Sequence, residues 1–119
     1  MPGRRILLIE DDVGVRDLLV HVLREGGYDV EVAGTAAAAR ERLASSRYAL
    51  VIADWWLPDG DGVSLANEAA DLGAKSFVLS GYSITLTGPS ESRHELLKKP
   101  ISPAALLEAV QRRLGVPTE

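Results

Sequence analysis

Cysteine is absent from these 119 residues, which excludes a disulfide framework and thiolate metal sites and fits a reducing compartment. A basic surplus is missing too. Thirteen Lys and Arg stand against seventeen Asp and Glu, for a net charge of −4, so no field draws phosphate backbones and direct nucleic-acid binding is not expected. Acidic substrates are disfavoured by the same sign. Long apolar runs are also lacking: Ile6 to Ile9 follow a basic start but meet three acids at once, which is too short for the core of a signal peptide. No later stretch approaches the roughly 18 apolar residues of a membrane span. The expected location is the cytoplasm, with no membrane partner.

What is present, 46% hydrophobic and 25% charged residues, is ordinary for a folded domain. The length suits one domain, 1–119 with a core over about 4–115. No repeat, linker or low-complexity segment divides it, and the initial methionine and short tails fit a natural single-domain protein.

Short continuous apolar runs alternate with helical patterns. Ile6–Ile9 reads as a strand buried on both faces. Val15, Leu18, Leu19 and Val22 form the i, i+3, i+4, i+7 stripe of an amphipathic helix, with Asp12 as its N-cap. Gly26-Gly27 ends it, and a second strand runs from Tyr28 to Ala33 with Val30 and Val32 on one face. The alanine-rich stretch Ala36–Leu43 predicts a helix. Ala49–Ala53 predicts a third strand ending at Asp54. Trp55-Trp56-Leu57-Pro58 and Asp59-Gly60-Asp61-Gly62 then read as a turn before a helix over Val63–Leu72. Ser76–Leu79 is the fourth strand and Glu95–Leu97 the fifth. The residues between Ser80 and Leu96 are poor helix material. A last helix shows Pro103, Leu106, Leu107, Val110 and Leu114 on one face. The expectation is a three-layer α/β fold around a five-stranded parallel sheet.

In such sheets the ligand crevice lies beyond the carboxyl ends of the strands. The first strand ends in Glu10-Asp11-Asp12, the third in Asp54, the fourth in Ser80 and the fifth in Lys99. Carboxylates converging there repel unless a cation neutralises them, and hard oxygen ligands favour Mg2+, with Mn2+ as an alternative. Such an ion could bridge a carboxylate to a phosphoryl oxygen, with Asp54 as nucleophile and Ser80 and Lys99 binding the product. Pro100 makes the following bond a candidate for the cis isomer.

This set resembles the receiver domain of two-component response regulators: an acidic pair after the first strand, an aspartate after the third, Ser or Thr after the fourth, Lys-Pro after the fifth. The likeness covers nearly the whole chain. It implies a CheY-like, flavodoxin-like sheet of order 2-1-3-4-5, with Glu10, Asp11, Asp54 and the main-chain carbonyl of Trp56 holding the metal. It further implies Asp54 as phosphoacceptor and a phosphohistidine donor on a sensor histidine kinase or a phosphotransfer protein. The output would be a downstream protein target, and the only reactions catalysed would be the chain's own phosphorylation and dephosphorylation. Phe77-Val78-Leu79-Ser80-Gly81-Tyr82 is similar to the signature of the "FAT GUY" receivers, in which the fourth helix is reduced or disordered; serine here replaces its threonine. The usual aromatic of the fifth strand is replaced by Leu96, which leaves Tyr82 as the candidate switch. Trp56 and Tyr82 flank the acceptor and are expected to obstruct attacking water, giving a long-lived acyl phosphate.

Three other readings compete. Asp59 and Asp61 suggest a calcium loop, but its remaining ligands are missing. A pseudo-receiver working without phosphorylation would have no need to crowd three carboxylates. A small-molecule phosphotransferase would need a cap or substrate pocket that 119 residues cannot supply. His21 and His94 lack a partner at metal spacing and are expected to be structural or exposed.

Overall fold

Strands whose two faces are both covered show no alternation, and this is why the apolar runs are continuous. In the computed structural model, which describes residues 4–81 and 93–117, β1 (Arg5–Ile9) and β3 (Leu50–Asp54) are buried almost throughout. Around them lie β2 (Asp29–Ala33), α1 (Val13–Glu25) and α2 (Ala36–Ser45). A two-stranded hairpin follows, β4 (Trp56–Leu57) and β5 (Gly60–Asp61), and then α3 (Gly62–Asp71), β6 (Lys75–Ser80), β7 (Glu95–Lys98) and α4 (Pro103–Leu114).

The main sheet is parallel, in the order β2-β1-β3-β6-β7. Counting its five strands along the chain, that is the expected 2-1-3-4-5. Alternate residues face opposite layers. Ile6, Leu8, Leu50, Ile52, Phe77 and Leu79 pack with Leu19, Leu23, Leu106 and Val110 of α1 and α4. Leu7, Ile9, Val51 and Ala53 pack with Ala36, Ala39, Leu65 and Ala69 of α2 and α3. The order in which strands are added therefore reverses between β1 and β3, where connections leave to opposite faces and a crevice opens at the carboxyl ends.

Three expectations are corrected. The buried face of α1 is Leu19, Val20 and Leu23, whereas Val15 and Leu18 are exposed. Of the expected stripe Leu19 is buried and Val22 half-buried, and the buried face runs on to Val20 and Leu23 instead of to Val15 and Leu18. The segment after Asp54 is no simple turn: Trp56 pairs with Asp61 and Leu57 with Gly60, antiparallel. Asp59 and Asp61 are helix caps as well as turn residues. Asp61 accepts from Ser64 N at the start of α3, and Asp59 accepts from Ala36 N and Ala37 N at the start of α2. The reduced fourth helix and Tyr82 lie outside the described residues.

His94 is buried, with Nε2 at 2.7 Å from Asn67 Oδ1 and Nδ1 in hydrogen-bond contact with Ser76 Oγ. Arg93 beside it pairs with Asp71 Oδ1 at 2.6 Å. The entry of β7 is thereby tied to α3 and β6. His21, by contrast, is exposed and pairs with Glu25 along α1. Among the described residues no helix is long and apolar enough to cross a membrane.

Candidate functional site

Each site residue stands at the end of a strand because the chain must leave the sheet there, and its backbone is fixed by the neighbouring strand. Glu10 N donates to Ala33 O, Trp55 N to Leu79 O, and Lys99 N to Ser80 O. The ends of β1, β3, β6 and β7 are thereby held in register around one crevice.

Glu10, Asp11 and Asp54 each place a carboxylate oxygen within 4.8 Å of the other two. Glu10 is 1% exposed and Asp54 8%, while Asp11 faces solvent. Glu10 Oε2 accepts from Asp12 N at 3.2 Å, and Asp12 in turn caps α1 by accepting from Val15 N. The acidic triplet therefore divides its work: Asp12 starts the helix, and its two predecessors point into the crevice.

Lys99 reaches in from the far side. Its Nζ donates to Glu10 Oε1 at 2.9 Å and to Asp54 Oδ2 at 3.2 Å. Burial works against its charge, but the hydrogen bond to Glu10 and the negative fields of Asp54 and Glu10 outweigh that, and its pKa is raised. The Lys99–Pro100 bond is cis. Ser80 is 2% exposed at the end of β6, next to the crevice that Lys99 enters. Asp54, Trp55, Trp56, Gly81 and Lys99 line an open pocket of about 440 Å³. Trp56 is 57% exposed at its rim.

Gly62 shapes the end of β3 from behind. A Cβ there would stand 2.1 Å from the Asp54 carbonyl oxygen, so only glycine lets the chain return against the Asp54 backbone while its N–H donates to Trp55 O at 2.8 Å. The sequence held no sign of this beyond a glycine in a turn. The role of Asp59 in bridging to α2 was equally hidden.

Three carboxylates and one ammonium leave these side chains two negative charges in excess. The oxygen-only donor set and its spacing fit a hard divalent cation such as Mg2+.

Comparison with known proteins agrees with this geometry. The family model described as "Response regulator receiver domain" matches residues 6–111. The response regulator receiver protein CpdR of Brucella abortus is 30% identical over 116 residues, covering 93% of this chain and 97% of that one. The DNA-binding response regulator MtrA of Mycobacterium tuberculosis is also 30% identical, and the chain spans only 50% of its length. Among solved structures, the response regulator TrrA of Thermotoga maritima, in complex with Mg(2+)-BeF, superposes with a TM-score of 0.81. It is 31% identical, with 93% of this chain and 99% of that one covered. By its strand order, its crevice and these matches, the chain belongs to the response regulator receiver family.

Proposed function

We propose that the chain is a phosphoacceptor, taking a phosphoryl group onto Asp54 from a phosphohistidine of a sensor kinase or phosphotransfer protein, and that the modified state switches protein contacts. The observation that carries this reading is the charge balance of the crevice. Glu10, Asp11 and Asp54 crowd together with, among the described residues, Lys99 alone paired against them, an arrangement that costs stability unless a divalent cation completes it. A pseudo-receiver would have no use for that cost.

Glu10, Asp11, Asp54 and the Trp56 carbonyl would hold Mg2+, which when bound supplies Lewis-acid stabilisation of the charge on the transferring group. The chain's own residues do the rest. An Asp54 carboxylate oxygen forms the bond to phosphorus as the phosphorus–nitrogen bond of the donor breaks, and the electron pair leaves with the imidazole nitrogen. Lys99, held by the two carboxylates, is pre-placed to transfer a hydrogen bond from Asp54 to a phosphoryl oxygen. Ser80 offers its hydroxyl to another oxygen. Trp56, exposed at the pocket's rim, restricts the path of a water in line with the new bond. The chain modifies only itself, and its output goes through a protein target.

Beryllofluoride, a mimic of the phosphoryl group, provides the test. In the presence of Mg2+ it should perturb the fluorescence of Trp55 and Trp56 saturably in the wild type and leave Asp54→Ala unchanged. Equal responses in both proteins would remove Asp54 from the role.

A further inference from the structure

The segment after Asp54 carries the Trp56 carbonyl on a hairpin of two residues per strand, which is marginal on its own. It is anchored at several points. Leu57 is buried at 2% exposure, Asp61 caps α3, and Asp59 stretches across to α2. Trp56 itself lends little packing, being more than half exposed.

The contact of Asp59 is unusually complete. Its Oδ1 accepts from Ala36 N at 2.7 Å and its Oδ2 from Ala37 N at 3.0 Å, while the helix's own cap, Thr35, serves Ala38 N. Asp59 therefore satisfies the first two amides of α2, which lack an intrahelical partner and which the Thr35 side chain, engaged with Ala38 N, leaves open. These two backbone hydrogen bonds lower its pKa, so it is ionised at neutral pH. Behind it, a Cβ on Gly60 would lie 3.0 Å from Ala36 Cβ, so the hairpin tip sits directly on the start of α2.

From this bridge, and resting on the function proposed above, we infer that Asp59 is a positioning residue for the cation site: by tying the hairpin to α2 it fixes where the Trp56 carbonyl stands, and so sets metal affinity without touching the metal. Outer partners that orient metal ligands commonly change affinity by about ten-fold or more; a residue acting through a hairpin is expected to change it by about three- to ten-fold.

The test measures Mg2+ affinity of the full chain by Trp fluorescence and amide exchange at residues 55–62 in chelator, for wild type, Asp59→Ala, Asp59→Asn and Arg42→Ala. Arg42→Ala breaks the Arg42–Glu31 pair that joins α2 to β2 while leaving the hairpin contact in place. Asp59→Ala should weaken Mg2+ binding and speed exchange in the hairpin. Asp59→Asn, which keeps one acceptor, should recover much of both, and Arg42→Ala should change neither. A lowered melting temperature in Asp59→Ala with unaltered Mg2+ affinity would overturn the inference and leave Asp59 a helix cap. A wild type that binds no Mg2+ would overturn the proposed function and this inference with it.

Discussion

Replacing Asp54 by Asn removes one charge from the crevice while keeping an oxygen that can accept from Lys99. At an effective dielectric constant of about 20, the ammonium 3.2 Å away attracts the Asp54 carboxylate by about 5 kcal/mol. Glu10 and Asp11, each with an oxygen within 4.8 Å, repel it by at least about 3.5 kcal/mol apiece. The balance is at least about 2 kcal/mol of repulsion. Solvent screening of the exposed Asp11 reduces this to about 1 kcal/mol, and desolvation of Asp54, whose side chain is 12% exposed, acts in the same direction. Asp54→Asn should therefore be more stable than the wild type in chelator, with a melting temperature higher by about 4 °C for a chain of this length. Saturating Mg2+ reverses the order. At about 100 times its dissociation constant the ion stabilises the wild type by about 2.7 kcal/mol, and the variant, which lacks one anionic ligand, gains much less. Thermal melts at low ionic strength, with chelator and with Mg2+, read both differences. A lower melting temperature for Asp54→Asn in chelator would refute the repulsion, and equal Mg2+ shifts would refute the role of Asp54 in holding the ion.

Gly62→Ala places a methyl 2.1 Å from the Asp54 carbonyl, and the forced backbone shift should cost about 2–3 kcal/mol and weaken Mg2+ binding; denaturant unfolding with wild-type stability would contradict the close approach. Trp56→Ser, alone or with Tyr82→Ser, should shorten the lifetime of the acyl phosphate, as followed by loss of phosphoryl mass, and unaltered decay would show that neither ring blocks water. Burial, aided by the charge of Arg93, lowers the pKa of His94 in the folded state, where the ring faces Ser76 and Asn67 and Arg93 pairs with Asp71. The unfolded chain then binds the proton first, so stability is full above about pH 6.5 and falls as pH drops below it. His94→Gln should flatten that slope in denaturant titrations between about pH 7 and pH 5, and an unchanged slope would assign it to other groups.

The strands and the crevice were legible because both depend on local chemistry. Residues 6–9 and 50–53 are apolar without alternation because helices cover both faces, and the chain turns polar where it leaves the sheet, which marks Glu10, Asp11, Asp54 and Lys99. The buried face of α1 was legible only in part: Leu19 lies on the expected stripe, but Val15 and Leu18 satisfy helical spacing as well as Val20 and Leu23 do, and only the packing of α1 on the sheet separates them. The hairpin was hidden for a different reason: two-residue strands have no period, and Asp59-Gly60-Asp61-Gly62 is also good turn sequence. Contacts between distant segments left no mark. Asp59 meets Ala36 across 23 residues and His94 meets Asn67 across 27, and neither pair has a spacing that a single sequence could reveal.

Intact mass after incubation with acetyl phosphate tests the central claim most directly, on wild type and Asp54→Ala, with Mg2+ and with chelator. The account predicts the gain of one phosphoryl group in the wild type with Mg2+ only, located to the peptide containing Asp54 and absent from the variant. A gain that persists in Asp54→Ala, or that is indifferent to chelator, would contradict it.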